Sequence, residues 1–319
     1  MEKELKTQNT TTAFEVAPGV WGRKDLFVNY YIIHDQVSGE WALVDAGLKW
    51  SASHIREMAH EIFGEDKAPV AIILTHGHFD HVGALDSLLK DWPVPVYAHE
   101  MELPYLTGQS DYPPADATVG GGLMSAMSFL YPTGPIDIRE HVKHLPYNET
   151  IPGLPEWKYI HTPGHSPGHI SLFRSRDKVL IAGDAFVTTK AESALATLTQ
   201  PKRISGPPKY LTSNWASAKL SVLKLAALQP ETVAAGHGKP MHGQEMRAQL
   251  DLLSRHFDQD AVPSHGRYVN EPAVTNEMGV AFLPHRQERI PTAFKLIAVS
   301  ALLLSAAYIG YREAQKRRS

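Results

Sequence analysis

From Phe14 to Asp45 the chain runs in short apolar bursts, FEVAP, GVWG, FVNYYIIHD and WALVDAG, broken by Gly, Pro and Asp. This pattern predicts β-strands joined by turns. Residues 51–63 (SASHIREMAHEIF) shift to helical spacing, with Ser51 as the expected N-cap. A buried strand is then predicted at Val70–Leu74, a His-rich loop after it, a helix at about Val82–Leu89 and a strand at Val94–Ala98. Residues 100–135 hold Tyr105, Tyr112, three glycines at 120–122 and the apolar LMSAMSFLY, and read as an inserted helical segment. Strands return at Trp157–His161, Ile170–Arg174 and Val179–Ala182. Residues 208–228 and 241–257 have helical periodicity and flank a short strand, Thr232–Ala235.

Mixed strands with helices on the outer faces predict a layered α/β protein. Residues 258–291, rich in Pro, Gly and His, read as a linker or an extended tail, which sets the main domain boundary near 260. The polar residues 1–12 are expected to be disordered and do not read as a signal peptide. Leu296 to Tyr311 carry no charge; Lys295 precedes them and Arg312, Lys316, Arg317 and Arg318 follow. As a helix this run would span about 24 Å, and extending it to Thr292 with Lys295 snorkelling gives a membrane-spanning length. Residues 292–312 are therefore expected to form a membrane anchor, with 313–319 a basic tail and the catalytic domain cytoplasmic.

Composition narrows the chemistry. A hydrophobic fraction of 43% allows a sizeable core. The net charge of -3, with no basic stripe, argues against a nucleic-acid partner. The chain has no cysteine, so disulfides and thiolate metal sites are excluded, and a transition-metal site must use imidazole and carboxylate. It holds 17 histidines.

The strongest signal is His76-Gly77-His78-Phe79-Asp80-His81, which follows the predicted strand ending at Thr75. If extended backbone continues, His76 and His78 point the same way, while Asp80 and His81 open the next helix. One loop can thus aim two imidazoles at one metal, and a carboxylate plus an imidazole at a second. The small Gly77 would let the loop turn tightly. Such a run could also be a surface histidine cluster; the strand leading directly into it favours the metal reading.

The segment resembles the H-x-H-x-D-H signature of the metallo-β-lactamase superfamily. Four further segments resemble that family's motifs in order: Val44-Asp45-Ala46-Gly47, Thr162-Pro163-Gly164-His165-Ser166-Pro167-Gly168-His169, Ile181-Ala182-Gly183-Asp184 and Ala235-Gly236-His237-Gly238. The resemblance covers about residues 14–257 and implies an αβ/βα four-layer sandwich over residues 13–257. It implies that His76, His78 and His165 hold a first metal, that Asp80, His81 and His237 hold a second, and that Asp184 bridges the two. Asp45 would orient a ligand or the loop, although an Asp after a strand is also a common turn former. His144, His161, His169 and His242 have no metal role in the family pattern and read as structural or pocket residues.

The implied cofactor is a pair of divalent cations, zinc first, with iron or manganese as alternatives. The implied activity is hydrolysis of a small ester, lactone, thioester or phosphoester by a hydroxide shared between the metals, with Asp80 orienting water or carrying a proton. The alternative is an iron-dependent oxidoreductase of the same fold. Acyl-homoserine lactonases of the family often carry a tyrosine shortly after the bridging aspartate, and here Asp184 is followed by Ala185-Phe186-Val187-Thr188. Tyr105, Met124, Met127, Phe129, Tyr131, Phe186 and Tyr210 are candidates for an apolar wall around a small-molecule substrate.

Overall fold

The computed structural model describes residues 13–64 and 67–285. The first sheet has seven strands in chain order: β1 (Phe14–Ala17), β2 (Val20–Asp25), β3 (Val28–His34), β4 (Trp41–Val44), β5 (Ala71–Ile73), β6 (Val96–Ala98) and β7 (Val142–His144). Strands β1 to β4 pair antiparallel, and β4 to β7 parallel. The second sheet runs β13-β12-β11-β10-β9-β8, with β8 (Thr150–Ile151), β9 (Leu154–His161), β10 (Ile170–Arg174), β11 (Val179–Ile181), β12 (Thr232–Ala234) and β13 (Met241–His242). Only β11 and β12 are parallel there.

Alternation along these strands builds the layers, because successive side chains face opposite sides of a sheet. Tyr31, Ile33, Val44 and Ile73 of the first sheet meet Trp157, Leu172 and Ile181 of the second in the central core. The alternate residues Tyr30, Ile32, Leu43 and Ile72 face outward, onto Ile55 and Met58 of helix α1 (Ser51–Phe63) and, beyond the short α2 (Phe79–Val82), Leu85 and Leu88 of α3 (Leu85–Asp91). On the far side Leu180 and Val233 pack with Val222 and Leu225 of one helix, Trp215–Ala227, and Met246 and Leu250 of another, Gly243–Arg255. Helix, sheet, sheet and helix make the expected four-layer α/β sandwich. Strands buried on both faces explain why the sequence shows continuous apolar runs.

Several local expectations change. Ser51 is the first residue of α1 and not its cap; its hydroxyl accepts from Leu48 N–H at 3.0 Å. The insert at 100–135 forms only short turns, including α4 (Leu103–Leu106) and α5 (Leu123–Ala126), because prolines and glycines interrupt it. A further short helix, α6 (Ala194–Thr199), precedes α7 (Trp215–Ala227). Helix α7 starts later than residue 208, after Pro207 and Pro208, and Asn214 caps it by accepting from Ser217 N–H.

The span read as a linker is packed as far as it is described. After α8 (Gly243–Arg255) and α9 (Phe257–Asp260), Tyr268 and Ala273 enter the second core. A hairpin follows, β14 (Val274–Asn276) and β15 (Gly279–Phe282), and Val280 N–H donates to Ser110 Oγ at 3.1 Å. Proline and glycine here shape surface loops that lie on the domain. No helix among the described residues is long and apolar enough to cross a membrane. The expected anchor at 292–312, the basic tail and residues 1–12 lie outside the described residues.

Candidate metal centre

The site forms at one edge of the sandwich, where strands from both sheets end. Asp45 follows β4 and the 76–81 loop follows β5. His165 lies between β9 and β10, Asp184 follows β11 and His237 follows β12. The ligand atoms of three overlapping triads lie within 4.8 Å of one another: His76, His78 and His165; His76, His81 and Asp184; Asp80, His81 and His237. All seven residues are buried. Asp184 Oδ2 lies 3.5 Å from His165 Nε2, 3.7 Å from His81 Nε2 and 3.1 Å from His237 Nε2, so it sits between the outer triads.

Hydrogen bonds on the outward nitrogens set the imidazole tautomers. Thr75 Oγ1 donates to Asp45 Oδ2 at 2.8 Å, so it accepts from His76 Nδ1 at 3.1 Å. Thr212 Oγ1 donates to Pro208 O and accepts from His165 Nδ1 at 3.3 Å. His81 Nδ1 donates to Asp45 Oδ2 at 2.8 Å, and His237 Nδ1 to the Phe27 carbonyl at 2.7 Å. In each case one proton is turned outward, which leaves Nε2 to face the other ligands, as metal binding requires. His78 presents the other nitrogen, its Nδ1 lying 3.0 Å from His165 Nε2.

The donor set fits divalent cations on a further observation. His76 Nε2, His81 Nε2 and Asp184 Oδ1 are buried and have no hydrogen-bond partner. An orphaned buried polar atom costs about 1–3 kcal/mol, and these three belong to the central triad. Nitrogen and carboxylate oxygen are the donors that zinc, iron and manganese take.

The charges divide the site in two. Burial, helped by neighbouring imidazoles, holds His76 and His165 well below the usual histidine range and pushes His78 down to about 3. Burial also acts downward on His237, but Asp184 and Asp80 outweigh it and raise it to about 9; Asp45, Asp80 and Asp184 raise His81 in the same way. Burial drives Asp80 upward, whereas for Asp184 the His237 and His81 charges overcome burial and hold it well below the carboxylate range.

Asp45 is both a turn residue and a positioner. Its φ is +61°, rare for a residue with a Cβ. Its carboxylate accepts from Thr75 N–H at 2.7 Å, from Thr75 Oγ1 and from His81 Nδ1. His169 is no ligand: its Nε2 accepts from Asp184 N–H at 2.8 Å and its Nδ1 bonds Thr162 Oγ1. Gly77 is needed for space and not for a turn, since a Cβ there would meet Tyr112 Oη at 2.4 Å.

Two residues escaped the sequence reading. Glu102, fully buried, spans two ligand loops: Oε2 accepts from Gly77 N–H at 2.9 Å and from Tyr112 Oη, and Oε1 accepts from Ser166 Oγ at 2.8 Å and Gly168 N–H at 2.7 Å. Tyr112 lays its ring 4.6 Å from His78. Nothing in the local sequence marks either one. Of the proposed apolar wall, Phe186 belongs to the core under α7 and Tyr105 stacks behind Tyr112 at 3.9 Å. Tyr131 and Tyr210 pack edge to face at 5.5 Å, and Asp80 acts on both phenols.

Residues 23–237 match the model of the metallo-beta-lactamase superfamily. The chain belongs to the metallo-β-lactamase superfamily. It is 46% identical over 253 residues to the probable metallo-hydrolase YflN of Bacillus subtilis, covering 78% of this chain and 95% of the relative. It is 35% identical over 124 residues to the probable metallo-hydrolase YybB of the same organism, 39% of this chain and 49% of that one. Among solved structures, a beta-lactamase domain protein from Burkholderia ambifaria aligns with a TM-score of 0.51 at 23% identity, over 77% of this chain and 76% of the other, a likeness of fold. The protein is thus an enzyme of the metallo-β-lactamase fold, and its buried His/Asp cluster is suited to divalent metal ions.

Proposed function

We propose that this enzyme is a metal-dependent hydrolase of a small ester, lactone, thioester or phosphoester with an apolar part. The observation that carries it is the set of three overlapping triads, with imidazole lone pairs turned inward and orphaned atoms at their centre. The name of the Bacillus relative, a probable metallo-hydrolase, supports the same reading. His76, His78 and His165 would hold one divalent cation and Asp80, His81 and His237 a second, with Asp184 common to both; zinc is the proposed metal. When bound, such cations act as Lewis acids and lower the pKa of water to about 7.

The chain's own residues do the rest. Asp80, beside the place of both cations, would orient the attacking water or carry a proton to the leaving group. Asp45 and Thr212 keep His81 and His165 in the required tautomers. Tyr131, Tyr210 and the partly buried Met124 form an apolar cluster beside Asp80 that would take the non-reacting part of the substrate.

The test is a panel of esters, lactones, thioesters and phosphoesters, run on the wild type and on Asp80→Ala and His165→Ala, with metal content measured in each. Hydrolysis that chelation stops and both substitutions reduce by orders of magnitude is expected. Equal activity in all three proteins refutes the reading. Two irons with oxygen consumption and no hydrolysis would assign the oxidoreductase alternative.

A further inference from the structure

Two touching surface segments beside the metal centre carry no charge and expose large apolar side chains. From Ala117 to Ile136 there is no charged residue. Within that span Leu123, Met127, Phe129 and Leu130 are exposed. Ser193 to Pro201 is also uncharged, and α6 exposes Leu195 and Leu198 at 70% and 74%. The segments are tied together, because Met124 N–H donates to the Glu192 carbonyl at 3.1 Å. A lone exposed leucine is ordinary, but six large apolar side chains on adjoining segments mark a contact surface.

Three further observations say what covers it. First, the patch borders the site: Tyr131 ends the first apolar stretch, and its ring lies 5.4 Å from Phe79, between His78 and Asp80. Second, its rim on the α6 side is basic, with Lys190, Lys202 and Arg203 exposed at the two ends of that helix. Third, the chain departs beside it. Arg267 lines a cleft with Phe129 and Tyr131, and its Nε donates to Pro284 O at 2.7 Å. The sequence beyond residue 285 contains the uncharged run Leu296–Tyr311, bracketed by Lys295 and by Arg312, Lys316, Arg317 and Arg318.

We propose that this face seats on an anionic phospholipid bilayer, with the six apolar side chains in the interfacial region and the metal centre opening at the membrane surface. Exposed apolar side chains flanked by Lys and Arg are the signature of interfacial binding to anionic lipid. A one-sided patch would cover only one side of a sixteen-residue uncharged run, whereas a bilayer covers the run and the patch together. Two modest membrane signals in one chain add, as one alone gives only reversible binding. A self-pairing face would bring these cations near their own copies. The inference does not depend on which bond the enzyme cleaves.

The absence of native cysteine permits a direct test. Full-length Leu130→Cys, Leu198→Cys and Val37→Cys proteins are each labelled with an environment-sensitive fluorophore and mixed with phosphatidylcholine–phosphatidylglycerol vesicles. Val37, 93% exposed, lies in the turn before β4, at the opposite end of that strand from Asp45. The expected result is a blue shift at 130 and 198, quenched by a lipid-borne quencher and weaker on pure phosphatidylcholine, with no change at 37. Sedimentation with vesicles without a shift at 130 and 198 overturns the proposal, since the tail alone then holds the protein. So do an equal response at all three positions, a failure to bind, and a blue shift already present in buffer that vesicles leave unchanged, the mark of a face covered by its own tail or a second copy.

Discussion

Glu102→Gln tests whether the carboxylate that joins the two ligand loops sets the metal centre. Glu102 accepts four hydrogen bonds, two from the Gly77 and Tyr112 side and two from Ser166 and Gly168. Glutamine keeps the volume but replaces one oxygen by NH₂. Tyr112 or Ser166 can rotate its hydroxyl to accept from that group; the Gly77 or Gly168 N–H cannot. Facing Gly168, the NH₂ leaves that buried N–H unpaired; facing Gly77, it leaves that N–H only Tyr112 Oη, at 3.0 Å, and takes away the acceptor of the Tyr112 hydroxyl, so either way a buried donor loses its partner, at about 1–3 kcal/mol. Gly77 lies between His76 and His78, and Ser166 and Gly168 follow His165, so the strain falls on the triad of His76, His78 and His165. Lost outer-shell partners typically weaken metal binding by about 10–100-fold. Chelator competition on wild type and Glu102→Gln should show a loss in that range for one metal equivalent, with the other retained. A variant that melts earlier but binds both equivalents with wild-type affinity would show that Glu102 supports only the fold, and the reasoning would fail.

Other outcomes follow from the same geometry. His81 and His237 are raised, His237 to about 9, so below that pH a cation must displace their protons, while His76, His78 and His165 stay deprotonated well into acid. Metal content measured from pH 8 down to 5 should therefore fall first to one equivalent; simultaneous loss of both would contradict the division. Asp45→Asn leaves either Thr75 N–H without its acceptor or His81 Nδ1–H facing an amide NH₂. Its affinity for the metal held by His81 should drop by about 10–100-fold in the same competition assay. Chelation should lower the melting temperature and added zinc restore it, by about 2.7 kcal/mol of stabilisation at 100 times the dissociation constant; a melting curve indifferent to metal would count against the site.

The sequence by itself marked the candidate metal ligands and the layered α/β order. His76 to His81 are consecutive in one loop, and the flanking apolar strands, buried on both faces, are visible as runs. Asp184 and His237 each follow a strand of the same kind, so their placement at one sheet edge was legible before any coordinates. Tertiary structure alone decided what holds those ligands. Glu102 acts on Gly77 from 25 residues away and on Ser166 from 64, and Thr212 reaches His165 across 47. No local period encodes a buried acceptor whose partners come from separate loops. The helical reading of 100–135 gave way to short turns because prolines and glycines interrupt it, and the 258–291 span read as a linker packs, as far as it is described, against Pro114, Asp116 and the second core. The uncharged stretch after Asp116 could be read from the chain, but only the fold set Leu123–Leu130 beside Leu195 and Leu198 and left them exposed. Spacing along a chain fixes which groups share a loop; which loops meet is fixed by the sheets that carry them.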